Sequence, residues 1–115
     1  MQTTKEESFN EIFAEAVDAA FSSLGDSAKH AVYWYITQKA GIEKNELASH
    51  VETLTPALEG FFQGGSSIIE MMILQNLSSR TGVVLTQEQC DKFPDAVRLF
   101  SKAYRKGPRS EGRVS

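Results

Sequence analysis

Few residues in this sequence are of the types that do chemistry at neutral pH. Two histidines, His30 and His50, stand twenty residues apart, and there is one cysteine, Cys90. Metal sites need ligands at short spacings, such as i, i+4 on a helix or a Cys-x-x-Cys step. Neither occurs, so neither a metal nor a cofactor is expected. Cys90 lies between Gln89 and Asp91, and a neighbouring carboxylate disfavours the thiolate that makes a cysteine reactive. Gly64-Gly65-Ser66-Ser67 stands before a helix start, where backbone N–H groups can meet an anion. It lacks the lysine and the remaining spacing of a phosphate loop, so a phosphate or small-ligand site there ranks third, behind a tight turn. Glu70 sits in a very apolar run. It is either a buried functional carboxylate or the capping partner of Ser67, three residues earlier, and the cap explains it without any function. Nothing here assembles an enzyme's constellation, and no catalytic residue is expected.

Residues suited to contact rather than catalysis are better represented. Tyr33, Trp34 and Tyr35 are consecutive, so on a helix they point in three directions and cannot form one stacking platform. Core packing is their default role, and Trp34 or Tyr33 is the candidate interface anchor. Met71 and Met72 are expected in the core, although methionine also suits adaptable surfaces. The segment from Gly41 to Val51, followed by Thr55-Pro56, has the rhythm of a helix-turn-helix. The helix that would read DNA carries no lysine or arginine, and residues 43–59 hold one Lys against four Glu. Phosphate contact needs positive charge, so the segment is expected to pack rather than read. The better nucleic-acid candidate is the basic end: Arg98, Lys102, Arg105 and Lys106 share a broad helix face, Tyr104 is placed to stack, and Arg109 and Arg113 trail. The same charges suit an acidic protein or the acidic body of a second copy.

The elements that position these residues read as helices throughout. The first runs from about Glu6 to Ser23, after a capping box at Thr3/Glu6 or Thr4/Glu7. Its stripe is Phe9, Ile12, Phe13, Ala16, Val17, Ala20, Phe21 and Leu24, and Gly25 stops it. Asp26 is the expected cap of a second helix over about Ser27 to Ala40, ended by Gly41. That helix is apolar over more than half its circumference, with His30 and Thr37 as its polar side. A short helical piece follows, and Thr55-Pro56 restarts the chain. Gly64-Gly65 breaks that helix. The fourth runs from about Ser67 to Arg80, apolar all round, and Gly82 ends it. Val83-Val84-Leu85 is an extended link with no second strand to pair with. Thr86 with Gln89 opens a last helix that Pro94 interrupts or restarts, and Gly107-Pro108 ends it.

The 115 residues suit one domain, and a hydrophobic share of 41% is enough for a core of its own. No segment resembles a signal peptide, and Ile68 to Leu74 is too short to span a bilayer. The single cysteine is compatible with a reducing compartment, and a cytoplasmic location is expected. Residues 1–97 carry six Lys/Arg against fourteen Asp/Glu, whereas residues 98–115 carry six against one. An acidic body with a basic end hints at an interaction tail, the alternative being a solvated helix face with a frayed terminus.

From Phe13 to Gly82 the pattern resembles a small helical domain of archaea. That family is an output domain on signalling proteins of ammonia-oxidising archaea and also occurs as short stand-alone proteins. The resemblance rests on Ala19 to Ser27, on Ala31-Val32-Tyr33-Trp34-Tyr35, on Gly41-Ile42, and on Phe61 to Leu77 with its Phe-Phe-Gln-Gly-Gly turn and Ile69-Glu70 step. It implies an all-α fold and a role in signalling or protein interaction, and it carries over no catalytic residue. Residues 83–115 lie outside it.

The expectation is therefore an all-α, compact bundle of about five helices with the second and fourth central. Residues 1–106 form one domain, and 107–115 a disordered basic tail. The expected function is a non-enzymatic protein-interaction module, acting on a protein partner or by self-association and not at a membrane. The alternative is a nucleic-acid-associated protein using Arg98, Lys102, Tyr104, Arg105, Lys106 and Arg109.

Overall fold

In the computed structural model of this chain, residues 5–106 are described; the tail expected over 107–115, with Arg109, lies outside them. Five α-helices follow in order: α1 (Lys5–Ser22), α2 (Asp26–Ala40), α3 (Val51–Phe62), α4 (Ser66–Thr81) and α5 (Phe93–Lys106). Two 3-10 turns, Lys44–Glu46 and Ala48–His50, lead into α3, and a third, Gln63–Gly65, joins α3 to α4. No strand occurs among the described residues, and Val83 to Leu85 takes no regular structure. The all-helical bundle is as expected.

Helix α1 forms because its apolar residues recur every three or four positions. Phe9, Phe13, Ala16, Val17, Ala20 and Phe21 are all buried. This face packs along α4, whose Ile69, Ile73 and Leu77 repeat at four-residue steps, and it also meets α2 and α5. Each buried Phe, Leu or Ile contributes about 1.5–3 kcal/mol by leaving water, and the pairing of α1 with α4 organises the core. The expectation that the second helix would be central is corrected here: α2 buries only Val32 and Ile36. Its other apolar residues are three alanines and three aromatics, and two of those aromatics are tyrosines whose hydroxyls keep them at the boundary.

Local signals explain the helix ends unevenly. Gly41 and Gly82 end α2 and α4 at φ 67° and 76°, each donating its N–H to the carbonyl four residues back, in the left-handed conformation that glycine takes without a Cβ penalty. Asp26 is not a cap: Gly25 holds the cap position, no side chain bonds there, and Asp26 is the first helical residue. Thr55-Pro56 does not start a helix either. Helix α3 already runs from Val51, Pro56 lies inside it, and the Thr55 hydroxyl donates to the Val51 carbonyl at 2.8 Å. Pro56 costs the helix one backbone bond, to the carbonyl of the exposed Glu52, which water can satisfy. With 3-10 turns before Val51 and no break at Thr55, the helix-turn-helix does not form.

The Gly64-Gly65 break is also displaced. The positive φ falls on Gln63 (φ 52°, ψ −123°), and Gly65 has an ordinary φ of −93°. Further on, Thr86 and Gln89 exchange a reciprocal pair of bonds: the Thr86 N–H donates to Gln89 Oε1 at 2.8 Å, and the Gln89 N–H to Thr86 Oγ1 at 3.1 Å. They close one turn only. Helix α5 starts afresh at Phe93, which places Pro94 in its first turn, where the missing N–H costs no helical bond.

Candidate functional site

The three consecutive aromatics of α2 meet three environments. Tyr33 leans on α1: its hydroxyl donates to Asp18 Oδ1 at 3.0 Å, and its ring meets Phe21 edge-on at 5.1 Å. The Lys44 ammonium lies 4.9 Å from the centre of the same ring. Tyr35 leans on α3, edge-on to Phe61 at 5.4 Å, with its hydroxyl where a Cβ on Gly60 would stand, 2.6 Å from the ideal position. Trp34 points outward and is 65% exposed. Of the two candidate anchors, Tyr33 is engaged within the fold and Trp34 is presented.

Trp34 stands on a stripe one side chain wide along α2. Ser27, His30, Ala31, Thr37 and Gln38 surround it, all exposed and none of them Asp, Glu, Lys or Arg. A comparable stripe runs along α4, where Ile68 and Met71 are 67% and 59% exposed between Ser67, Gln75 and Ser79. The expectation that Met71 lies in the core is thus corrected, while Met72 packs against the core. Two uncharged outward stripes are unusual in a chain with 23% charged residues. A solvated helix face ordinarily carries the charge.

Asp18 ties α1 to α2 and to the turn at Lys44. Lys29 and Lys44 approach its Oδ1 at 3.3 and 3.2 Å, and Lys29 also donates to Oδ2 at 3.3 Å. Burial alone pushes this carboxyl up. The bonds from Tyr33, Lys44 and Lys29, with the charge of Lys44, outweigh that and hold it below the usual carboxylate range. Burial, and then the bond to and charge of Asp18, push the Tyr33 phenol well above its ordinary value. A shallow cavity beside this cluster is lined by Glu15, Asp18, Lys44 and Arg80, with Arg80 paired to Glu15 at 3.1 Å. Every ionised group named there has an opposite charge, which describes a structural network joining α1, α2 and α4.

The capping account of Glu70 does not hold. Gly65 occupies the cap of α4, no side chain bonds there, and Ser67 is exposed. Glu70 Oε2 is buried with no hydrogen-bond partner. Burial pushes its carboxyl up, and the charge of Glu59 on α3 pushes it further. Neither Ser66 nor Ser67 gives α4 a side-chain cap, so nothing beyond the turn itself marks Gly64-Gly65 as a ligand site.

The basic end is partly spoken for. Arg98 donates to Asp95 Oδ1 at 2.8 Å, one turn earlier, and pairs with Glu52 of α3. Tyr104 is half-buried, its ring 6.1 Å from that of Phe9, so it is core packing rather than a stacking platform. Lys102 and Arg105 are exposed, and Lys106 is the last residue of α5. Arg98, Lys102 and Arg105 line a groove of about 920 Å³ between α5, Phe9 and Asn10 of α1, and Ala48 and Ser49 of the second 3-10 turn. Sequence reading missed this groove because its far wall lies half a chain away.

Cys90 is half-buried and free, and both histidines are exposed. Among the described residues, no three His, Cys, Asp or Glu side chains gather to hold a metal ion, and no helix is long and apolar enough to cross a membrane. No protein-family model, no curated protein and no solved structure matches the chain.

Proposed function

We propose that this chain is a non-enzymatic protein-interaction module, a regulatory or signalling output domain that works in the cytoplasm through the apolar residues of its outward helix faces. One observation carries the reading: Trp34 stands 65% exposed in the middle of an uncharged stripe. Tryptophan is the residue most enriched where binding energy concentrates, and charged residues are depleted at interface centres. Ile68 and Met71 add a second apolar face on α4. The resemblance of residues 13–82 to an archaeal output domain points the same way. The nucleic-acid alternative is weaker, because Arg98 is held by two carboxylates and Tyr104 is packed.

The chain has one tryptophan, so its emission reports on this face directly. In the simplest version the partner is a second copy. Raising the concentration then shifts the Trp34 emission to the blue as sedimentation shows association, and Trp34→Ala weakens association about thirtyfold or more, the size expected of a central anchor. A strictly monomeric protein at high concentration, with an unchanged emission maximum, would count against self-association.

A further inference from the structure

The groove beside α5 has features that the Trp34 face does not share. Asp95, Arg98, Lys102 and Arg105 follow one another along its α5 wall at steps of three, four and three residues, which sets them on a single helix stripe. From Asp95 to Arg105 the wall is about 15 Å long at 1.5 Å per residue. Its floor is apolar, made by Phe9, Ala48 and Val97. The charges are ordered: Asp95 and Glu52 neutralise Arg98 at one end, whereas Lys102, at the other, has no partner among the described residues.

This arrangement selects among anionic partners. A single small anion would use one cation and leave most of the length empty. A nucleic-acid strand is uniformly negative, and its phosphates would meet Asp95 and Glu52 at the neutralised end. A helix presents side chains at the same three- and four-residue steps as α5 itself. A carboxylate on one turn of it matches Lys102, and an apolar residue on the adjacent turn meets the floor. About ten helical residues cover the groove.

We propose that the groove between α5, the start of α1 and the Ala48–His50 turn seats an acidic amphipathic helix of a partner protein, with Lys102 as its principal cation. This surface is separate from the Trp34 stripe and does not depend on it.

The test uses the full chain, labelled with nitrogen-15, and three probes. They are a short synthetic helical peptide with Glu residues one turn apart beside a Leu face, the same peptide with Gln for Glu, and a single-stranded oligonucleotide of similar length. The acidic peptide is expected to shift the amides of Asn10, Ala48, Ser49, Ser101 and Lys102, and to bind more weakly at about 200 than at about 50 mM salt. Lys102→Glu, at an exposed position that leaves the core intact, is expected to weaken it about tenfold or more. The proposal is overturned if the acidic peptide shifts nothing, if the Gln peptide binds equally well, or if the shifts centre on Trp34. Tighter binding of the oligonucleotide than of the acidic peptide overturns it in favour of nucleic acid. Because the readout is residue by residue, loss of the groove signal and loss of the Trp34 face are distinguishable.

Discussion

Glu70 illustrates how one residue's chemistry depends on where its atoms end up. Its Oε2 is buried without a partner, and burial and Glu59 both favour the neutral acid. A carboxyl whose folded pKa lies above its unfolded value binds more protons when folded. Its contribution to stability is present below the unfolded value, near pH 4.3 for a typical Glu, and is lost as pH rises through the folded value. Glu70→Gln mimics the protonated form. It is expected to stabilise the protein at pH 7 by about 1 kcal/mol, the scale of an unsatisfied buried acceptor, and the gain should shrink toward pH 4. Thermal melts at the two pH values check this, and equal gains at both would remove the titration from the account. Sequence alone offered two roles for Glu70. It favoured the cap, and wrongly, because the Ser67–Glu70 spacing matches a capping box whether or not the helix starts there. The outward direction of Trp34 was hidden for a related reason. An apolar residue on a nearly all-apolar helix has no pattern to say which side faces water, although His30 and Thr37, three or four residues away, already marked that side as polar.

At the scale of the element, the join between α3 and α4 holds local strain. Gln63 adopts φ 52° and ψ −123°, a conformation that side chains disfavour, while its two glycine neighbours do not use their freedom there. Gln63→Gly is expected to raise stability by about 1 kcal/mol, since residues held in such regions cost about 1–3 kcal/mol and the added entropy of an unfolded glycine takes part of the gain back. Denaturant unfolding measures it, and a lower midpoint would mean that the Gln63 side chain contributes more than its backbone costs. The ends of α2 and α4 were legible because Gly41 and Gly82 each do one thing that glycine does best. The start of α3 was misread because Thr-Pro is a strong local start signal, and nothing local announced that the turn from Val51 was already helical. Core burial of Val51 and Leu54 overrides that signal.

At the scale of the whole molecule, core and candidate contact faces separate cleanly. Phe13 is fully buried with its ring against those of Phe9 on α1 and Phe93 on α5, and Phe13→Ala is expected to cost about 3–5 kcal/mol. That is a large part of the 5–15 kcal/mol typical of a domain. Trp34→Ala should change stability by about 0.5 kcal/mol or less, as exposed substitutions do. Calorimetry of the two variants side by side checks the division, and a comparable loss for Trp34→Ala would place that ring inside the fold's own packing. The helical class was readable from periodicity alone, since the stripes of α1 and α5 repeat over several turns. The groove beside α5 was not, because its walls come from residues near 9, 48 and 102, and only tertiary packing brings those together.

Two ring contacts, Phe9 with Tyr104 and Phe13 with Phe93, close the molecule by joining α1 to α5. Their partners are separated by 95 and 80 residues of chain. A ribosome adds about 5–20 residues per second, so the ring of Phe13 waits about 4–16 seconds after it is made before Phe93 exists to cover it. During synthesis α4 can shield most of the inner face of α1 first, and the edge that faces α5 is the part left open longest.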